Sequence, residues 1–372
     1  MKTLGLALIG TGYMGKAHAL AYRAARAVFG DLPEVRLAWL CDQTDDLARK
    51  MADQFGFQNA TTDWRAMVCA PDVDIVSITS PNAFHYDMAL AAIEAGKHVH
   101  CEKPLSLTLD QARQMEEAAR KRGVKTIVGY NYTHNPAFQH ARRLIAEGAI
   151  GDLVHFRGWV DEDYQADPDL PWSWRATRAQ AGLGTLGDLG CHLVSLAYGL
   201  MGPIDSLIAD TQIIHTTRPV ANSDTRAAVE NEDTASAIVR FANGAQGTLC
   251  TSRSAWGRKN RLDWEVHGTK GMISFAQERL NELQIYQNEG HVAQQGFRTI
   301  LTGPAHAPYG DFCPAAGHQL GFGDLKTIEV AAFLRWIAGG PKSAPTFTDA
   351  LPFEAVIHAI DASARSGQRV TL

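Results

Sequence analysis

An apolar run, Leu4–Ile9, ends at Gly10-Thr-Gly12-Tyr-Met-Gly15, and a helical stretch opens directly behind it. This G-x-G-x-x-G sequence between a strand and a helix constrains the fold more than any other feature of the chain. The first glycine permits a tight turn. The second lets the backbone approach a ligand closely, and the third lets the helix pack against the strand. The helix N-terminus then offers N–H groups and the positive end of its dipole to a pyrophosphate. The alternative is a glycine-rich packing turn that holds nothing.

The surroundings favour the dinucleotide seat. Apolar runs at 4–9, 35–41, 73–78, 98–101 and 125–128 alternate with helical stretches at 14–29, 45–54, 83–95 and 109–122. Near-continuous apolar strands separated by helices predict a buried parallel sheet with right-handed crossovers and ligands at the carboxyl ends of its strands. A further helix is expected over 136–147, after which the pattern changes. Runs at 234–241 and 246–252 flank Asn243-Gly244, a hairpin signal, and runs at 263–267 and 272–275 flank Gly268-Thr-Lys-Gly271. This half reads as a mostly antiparallel sheet with a few helices, among them 188–200, 325–337 and 353–366. The stretch 289–323, rich in Gly, Pro, Ala and His, reads as a long loop. The expected fold class is therefore α/β, a doubly wound parallel sheet followed by a second α/β domain with a large open antiparallel sheet. The expected boundaries are 1–130, 131–348 and a closing helix and strand, 349–372, returning to the first domain.

Composition narrows the partners. The 372 residues carry 35 Lys plus Arg against 40 Asp plus Glu, a net charge of −5 without a basic run, which argues against nucleic acid or an anionic membrane. Cys41, Cys69, Cys101, Cys191, Cys250 and Cys313 form no framework spacing and read as reduced thiols. The first apolar run is too short for a signal core, and no segment reaches membrane-spanning length, so a cytoplasmic location is expected.

The second run ends at Asp42-Gln43. A carboxylate at that strand end suits a ribose 2′-OH and favours NAD over NADP. The rival role for Asp42 is the N-cap of the next helix. Its distance from Gly15 exceeds the usual spacing, which a long first helix and loop, 24–33, would absorb.

Three further motifs follow in order: Thr79-Ser-Pro81-Asn82 with His85, then Glu102-Lys103-Pro104, then Asp188-Leu-Gly190-Cys-His192. With the glycine motif, their order and spacing make the chain resemble the Gfo/Idh/MocA (glucose–fructose oxidoreductase, inositol dehydrogenase, rhizopine catabolism) family of NAD(P)-dependent sugar and polyol oxidoreductases. The resemblance spans essentially the whole chain. It implies a Rossmann domain and an open sheet through which subunits form homodimers or homotetramers. It places Lys103, Asp188 and His192 at the reacting carbon, and Glu102 near the nicotinamide ribose before an often cis Lys-Pro bond. The cofactor site it implies comprises Gly10, Thr11, Gly12, Tyr13, Met14, Gly15, Asp42, Ser80, Pro81, Asn82, His85, Glu102, Lys103 and Asn131. One departure stands out: the family often has Asp three residues after the histidine, where this chain has Ser195.

The chemistry reads the same way from the residues. Oxidising a secondary alcohol requires an acceptor for the hydroxyl proton, and a neutral imidazole is suited to it. A nearby ammonium polarises the developing carbonyl. Asp188 and His192, four residues apart, share one helix face. This assigns His192 as general base and Lys103 as polariser, with Lys103 as base the alternative. Weaker substrate candidates are Tyr132, Asp161, Trp174, Arg175 and His318. Trp172 and Trp174 are equally suited to core packing. The absence of a basic cluster points to a neutral sugar, inositol or polyol. His98, His100 and Glu102 share a strand face, and 306–318 is rich in His, but neither has zinc-site spacing, so no metal is expected. The competing activities are an NADP-linked sugar reductase, a dihydrodiol-type dehydrogenase, an enzyme with tightly held cofactor, and a non-catalytic NAD(H)-binding redox sensor.

Overall fold

The computed structural model describes residues 2–342 and 345–372, and these divide into two compact units, 1–134 with 321–351 and 135–320 with 352–372. Among the described residues, no helix is long and apolar enough to cross a membrane.

The first unit is built on β1 (Leu4–Ile9), α1 (Tyr13–Phe29), β2 (Val35–Cys41), α2 (Asp45–Phe55), β3 (Asn59–Thr61), α3 (Trp64–Val68), β4 (Ile75–Ile78), α4 (His85–Glu94), β5 (His98–Cys101), α5 (Leu109–Arg122) and β6 (Thr126–Val128). The strands are all parallel and run in the order β3-β2-β1-β4-β5-β6. The order reverses between β1 and β4, which is where an open parallel sheet receives its ligand. β1 and β4 are buried at every position, as strands covered on both faces must be. The short β3 and α3 were not among the sequence expectations, because three half-buried residues at a sheet edge carry no apolar run.

The second unit contains α6 (Pro136–Ala146), β7 (Leu153–Asp161), α7 (Arg178–Ala181), a single π-helical stretch (Leu186–Gly190) running into α8 (Cys191–Met201), then β8 (Ile204–Gln212), β9 (Thr217–Pro219) and β10 (Arg226–Ala228). It continues through β11 (Thr234–Phe241), β12 (Gln246–Ser252), β13 (Arg261–Gly268), β14 (Gly271–Phe275), β15 (Glu282–Gln287), β16 (Arg298–Leu301) and α9 (Tyr309–Phe312). Nine described strands make one sheet in the order β16-β15-β14-β13-β7-β12-β11-β8-β17, where β17 is Val370–Thr371. It is antiparallel except where β12 runs parallel to β7. Both hairpin signals lie in tight connections: Arg240 pairs with Gln246 around Gly244 at φ 87°, and His267 pairs with Met272.

Alternation fixes the faces of this sheet. In β7, Phe156, Gly158 and Val160 are buried while Arg157, Trp159 and Asp161 alternate outward. A Cβ on Gly158 would stand 2.5 Å from Leu193 Cδ1, so α8 lies on the buried face. The other face keeps half-exposed positions, with Ile238 still 43% exposed.

The closing elements are α10 (Phe322–Ile337) and α11 (Phe347–Ser366). The return to the first unit is made by 321–351, which contains α10, rather than by 349–372. α10 is apolar nearly all round and needs burial on every side, whereas β17 finds its partner at the free edge of β8, Val370 opposite Leu207.

Candidate functional site

In the first unit the glycine turn is held from three directions. Gly10 has φ +92° and lies so close to β4 that a Cβ would stand 2.9 Å from the Thr79 carbonyl oxygen. A Cβ on Gly15 would stand 2.1 Å from the Gly10 carbonyl oxygen, so only glycine lets α1 sit at this distance from β1. Thr79 Oγ1 donates to the carbonyls of Ile9 and Gly10, each at 2.9 Å, which ties the Thr79–Asn82 loop to the turn.

Asp42 holds the third side. Its Oδ2 accepts the Thr11 backbone N–H at 2.8 Å and the Thr11 hydroxyl, and its Oδ1 accepts the Gln43 N–H at 2.7 Å. It is not the cap of α2. That role belongs to Thr44, whose side chain accepts from Leu47 N–H. Asp42 is thus bonded directly to the turn.

The turn fits an anionic ligand. α1 begins after Gly12 without a side chain capping its first amides or an acid in its first turn, and a Cβ on Gly12 would meet nothing within 4 Å. Tyr13 is 71% exposed and stacks over Phe322 at 5.7 Å, with Tyr132 edge-on to Phe322 at 6.1 Å. Asn131, just after β6, is buried, and its Nδ2 has no hydrogen-bond partner among the described residues.

Two motif residues turn out to brace the loops. His85 is wholly buried; its Nδ1 is 2.9 Å from the Pro104 carbonyl and its Nε2 3.0 Å from the Ser80 carbonyl, so it joins the loops after β4 and β5. Burial pushes its imidazole below the ordinary range. Glu102 Oε1 faces Lys326 Nζ at 2.8 Å and His18 Nε2 at 2.9 Å. Burial opposes its ionisation, but Lys326 and His18 hold its carboxyl well below the usual range. Lys103 follows it, half-buried, and the Lys103–Pro104 bond is cis. Ser80, Pro81 and Asn82 are half-buried in the loop after β4.

In the second unit, Asp188 lies in the π-helical turn and His192 in the first turn of α8, where it is buried. The Tyr164 hydroxyl donates to Asp188 Oδ2 at 2.5 Å, and Arg175 Nε stands 3.6 Å from the same oxygen. The Arg175 guanidinium also lies over the Trp174 ring at 4.4 Å. Burial and the Asp188 charge push the Tyr164 phenol well above its ordinary range, so it stays a donor. Ser195 Oγ donates to the His192 carbonyl at 2.7 Å.

The structure therefore gathers Asp188, His192, Trp174 and Arg175, and places Asp161 on another face of the sheet. Asp161 lies on the sheet face opposite α8 and pairs with Arg261 at 3.1 Å; alternation along β7 sends it there. His318 is exposed, and its carbonyl accepts from the Tyr309 hydroxyl. Tyr164 was missed because a lone Tyr in a polar loop carries no periodic signal. Lys326 and Glu329 had one: a Lys-x-x-Glu inside an otherwise apolar helix.

Comparison with known proteins agrees across the chain. Residues 4–130 match the model of an oxidoreductase family with an NAD-binding Rossmann fold, and residues 138–274 match the GFO/IDH/MocA C-terminal domain. The levoglucosan dehydrogenase of Pseudarthrobacter phenanthrenivorans is 38% identical over 98% of this chain and 97% of its own length. The inositol 2-dehydrogenase of Rhizobium meliloti is 27% identical over 98% of this chain and 97% of its own. A levoglucosan dehydrogenase structure in complex with NADH and levoglucosan superposes with a TM-score of 0.96 at 38% identity, covering 100% of this chain and 99% of that one. An NAD-binding oxidoreductase from Klebsiella pneumoniae superposes at 0.95 with 43% identity and the same coverage.

Burial holds His18 down to about 3 and His134 down to about 4. Both folded values lie below the unfolded one, so their contribution to stability is complete above pH 6.5 and is lost as pH falls toward 4. Unfolding near pH 5 then takes up about two protons, or a slope of about 2.7 kcal/mol per pH unit. Urea titrations from pH 7 to 4.5 are expected to show this fall, and His18→Gln with His134→Gln to flatten it. A pH-independent unfolding free energy would refute the neutral assignment.

Proposed function

The chain belongs to the Gfo/Idh/MocA family of oxidoreductases, and from that premise we propose that it is an NAD-dependent dehydrogenase of a neutral sugar, inositol or related polyol. It oxidises a secondary hydroxyl to a ketone or lactone. The observation that carries this reading is the Asp188–His192 pair on one helical turn, braced by Tyr164 and Arg175, in a chain similar over 98% of its residues to a levoglucosan dehydrogenase.

Each residue has a defined task. The Gly10–Gly15 turn and the first amides of α1 hold the pyrophosphate of the cofactor. Asp42 keeps the turn closed through Thr11 and accepts from the adenosine ribose. Asn131 offers its buried amide to the cofactor, with Ser80, Pro81, Asn82, Glu102 and Lys103 beside it. NAD, when bound, supplies the oxidising nicotinamide. His192 takes the hydroxyl proton as a neutral imidazole, and Asp188 orients the imidazole or a substrate hydroxyl. Lys103 polarises the reacting oxygen with its ammonium. Trp174 and Tyr132 offer ring faces to the sugar, and Arg175 offers a donor. The Arg175 charge is balanced by Asp188, which suits an uncharged ligand better than a phosphorylated one.

The half-exposed outer face of the large sheet is the proposed contact between subunits, giving a homodimer or homotetramer. Ile238→Arg, in the middle of that face, is expected to lower the sedimentation coefficient. A wild-type monomer would overturn this part.

Mixing with NAD and a polyol panel led by levoglucosan and inositol is expected to raise absorbance at 340 nm. Tight NADH binding without turnover of any polyol would point to the redox sensor instead. His192→Ala is expected to lower kcat by about 100- to 10,000-fold while NADH affinity stays near wild type. For cofactor choice, Asp42→Ala is expected to weaken NAD binding and reduce the ratio of kcat/KM for NAD over NADP. An unchanged ratio would leave Asp42 as a tether of the turn alone.

A further inference from the structure

Helix α10 buries Leu325, Ile328, Val330, Phe333 and Leu334, yet Lys326 and Glu329 within it are wholly buried as well. Lys326 Nζ stands 2.8 Å from Glu102 Oε1 and 2.6 Å from Glu329 Oε1. His18 Nε2 reaches the same Glu102 oxygen, and His100 Nε2 reaches Glu329 Oε1 at 3.0 Å. The other ring nitrogens are also engaged: His18 Nδ1 with Ser77 Oγ at 2.7 Å, and His100 Nδ1 with the Tyr22 hydroxyl at 3.2 Å. The two rings stack at 4.2 Å.

His18, His100 and Glu329 lie close enough together to hold a metal ion. The Lys326 ammonium already supplies the cation there, and every ring nitrogen has a protein partner, so the cluster is built around the lysine. Burying three ions is costly, and apolar residues in place of all three would fill the same space at less cost. Packing therefore does not account for Lys326.

Its contact with Glu102 does. The other oxygen of that carboxylate, Oε2, accepts the backbone N–H of Lys103 at 3.3 Å. A Cβ on Gly129, the residue after β6, would stand 2.3 Å from Glu102 Oε1, so the carboxylate occupies space that only a glycine there leaves open. A chain of contacts thus runs from α10 through Lys326 and Glu102 to the Lys103 backbone.

We propose that Lys326 is a positioning residue for the dehydrogenase reaction, its buried ammonium fixing Glu102 and thereby the turn that carries Lys103. The proposal rests on the role given to Lys103 above. Its two carboxylates and one ammonium together carry a charge of −1. Lys326→Met alone leaves two facing carboxylates without their cation and is expected to melt far below wild type. The double variant Lys326→Met, Glu329→Gln restores the wild-type net charge while the link to Glu102 stays broken, so it carries the test.

Two measurements on the full chain decide it. Amide exchange of a peptide spanning 101–108 is expected to speed up at least about tenfold in the double variant, with the other strands of the sheet unchanged. The kcat for a polyol is expected to fall about 10- to 100-fold, with KM for NAD near wild type. Wild-type exchange, or wild-type kcat despite faster exchange, would overturn the proposal and leave the cluster as charge balance. If the wild-type chain turns over no polyol, the dehydrogenase reading fails, and the exchange of the Lys103 segment still shows whether Lys326 holds that turn.

Discussion

The close approach of α1 to β1, possible only because Gly15 lacks a side chain, is the contact on which the rest of the first unit depends. A Cβ at Gly15 would stand 2.1 Å from the Gly10 carbonyl oxygen, so a methyl group there would push the helix off the strand. Because α1 sits so low, its uncapped N-terminus opens at the switch point between β1 and β4. Thr79 and Asp42 then bond to the turn from β4 and β2. The glycine turn is held by three strand ends, not by one loop alone.

Some motif residues are held by long-range contacts that their letters do not announce. His85 and Glu102 look like ligand contacts when read as letters. In the fold, His85 joins two loop carbonyls and Glu102 is clamped between Lys326, His18 and the Lys103 amide. Asp188 is likewise held by Tyr164 and Arg175. Buried charges and neutral histidines of this kind are expensive, and they stand next to the residues whose placement matters most.

Periodicity made much of the fold legible. β2, α5, β11 and β12 begin and end where their apolar patterns begin and end, and α1 runs to Phe29 as the long spacing to Asp42 requires. Short elements such as β3 and α3 escaped, because an edge strand of three residues repeats nothing. The long loop 289–323 contains β16 and α9 for the same reason. Among site residues, the glycine motif was readable because backbone geometry demands glycine. The pairing of Asp161 with Arg261 was not readable, because the two are distant in sequence.

What the sequence determined by itself was local: the turn that needs glycine, the alternation of buried strands and helices, the two hairpins, and the motif order that marks the family. These follow from backbone sterics and side-chain periodicity, which act over a few residues. Only the tertiary structure decided that Asp42 ties down the turn instead of capping α2, that Tyr164 and Arg175 brace Asp188, and that Lys326 reaches Glu102 across 224 positions of chain. Those are contacts between charged and polar groups at long sequence separation. Their strength depends on burial and distance, which no local pattern encodes.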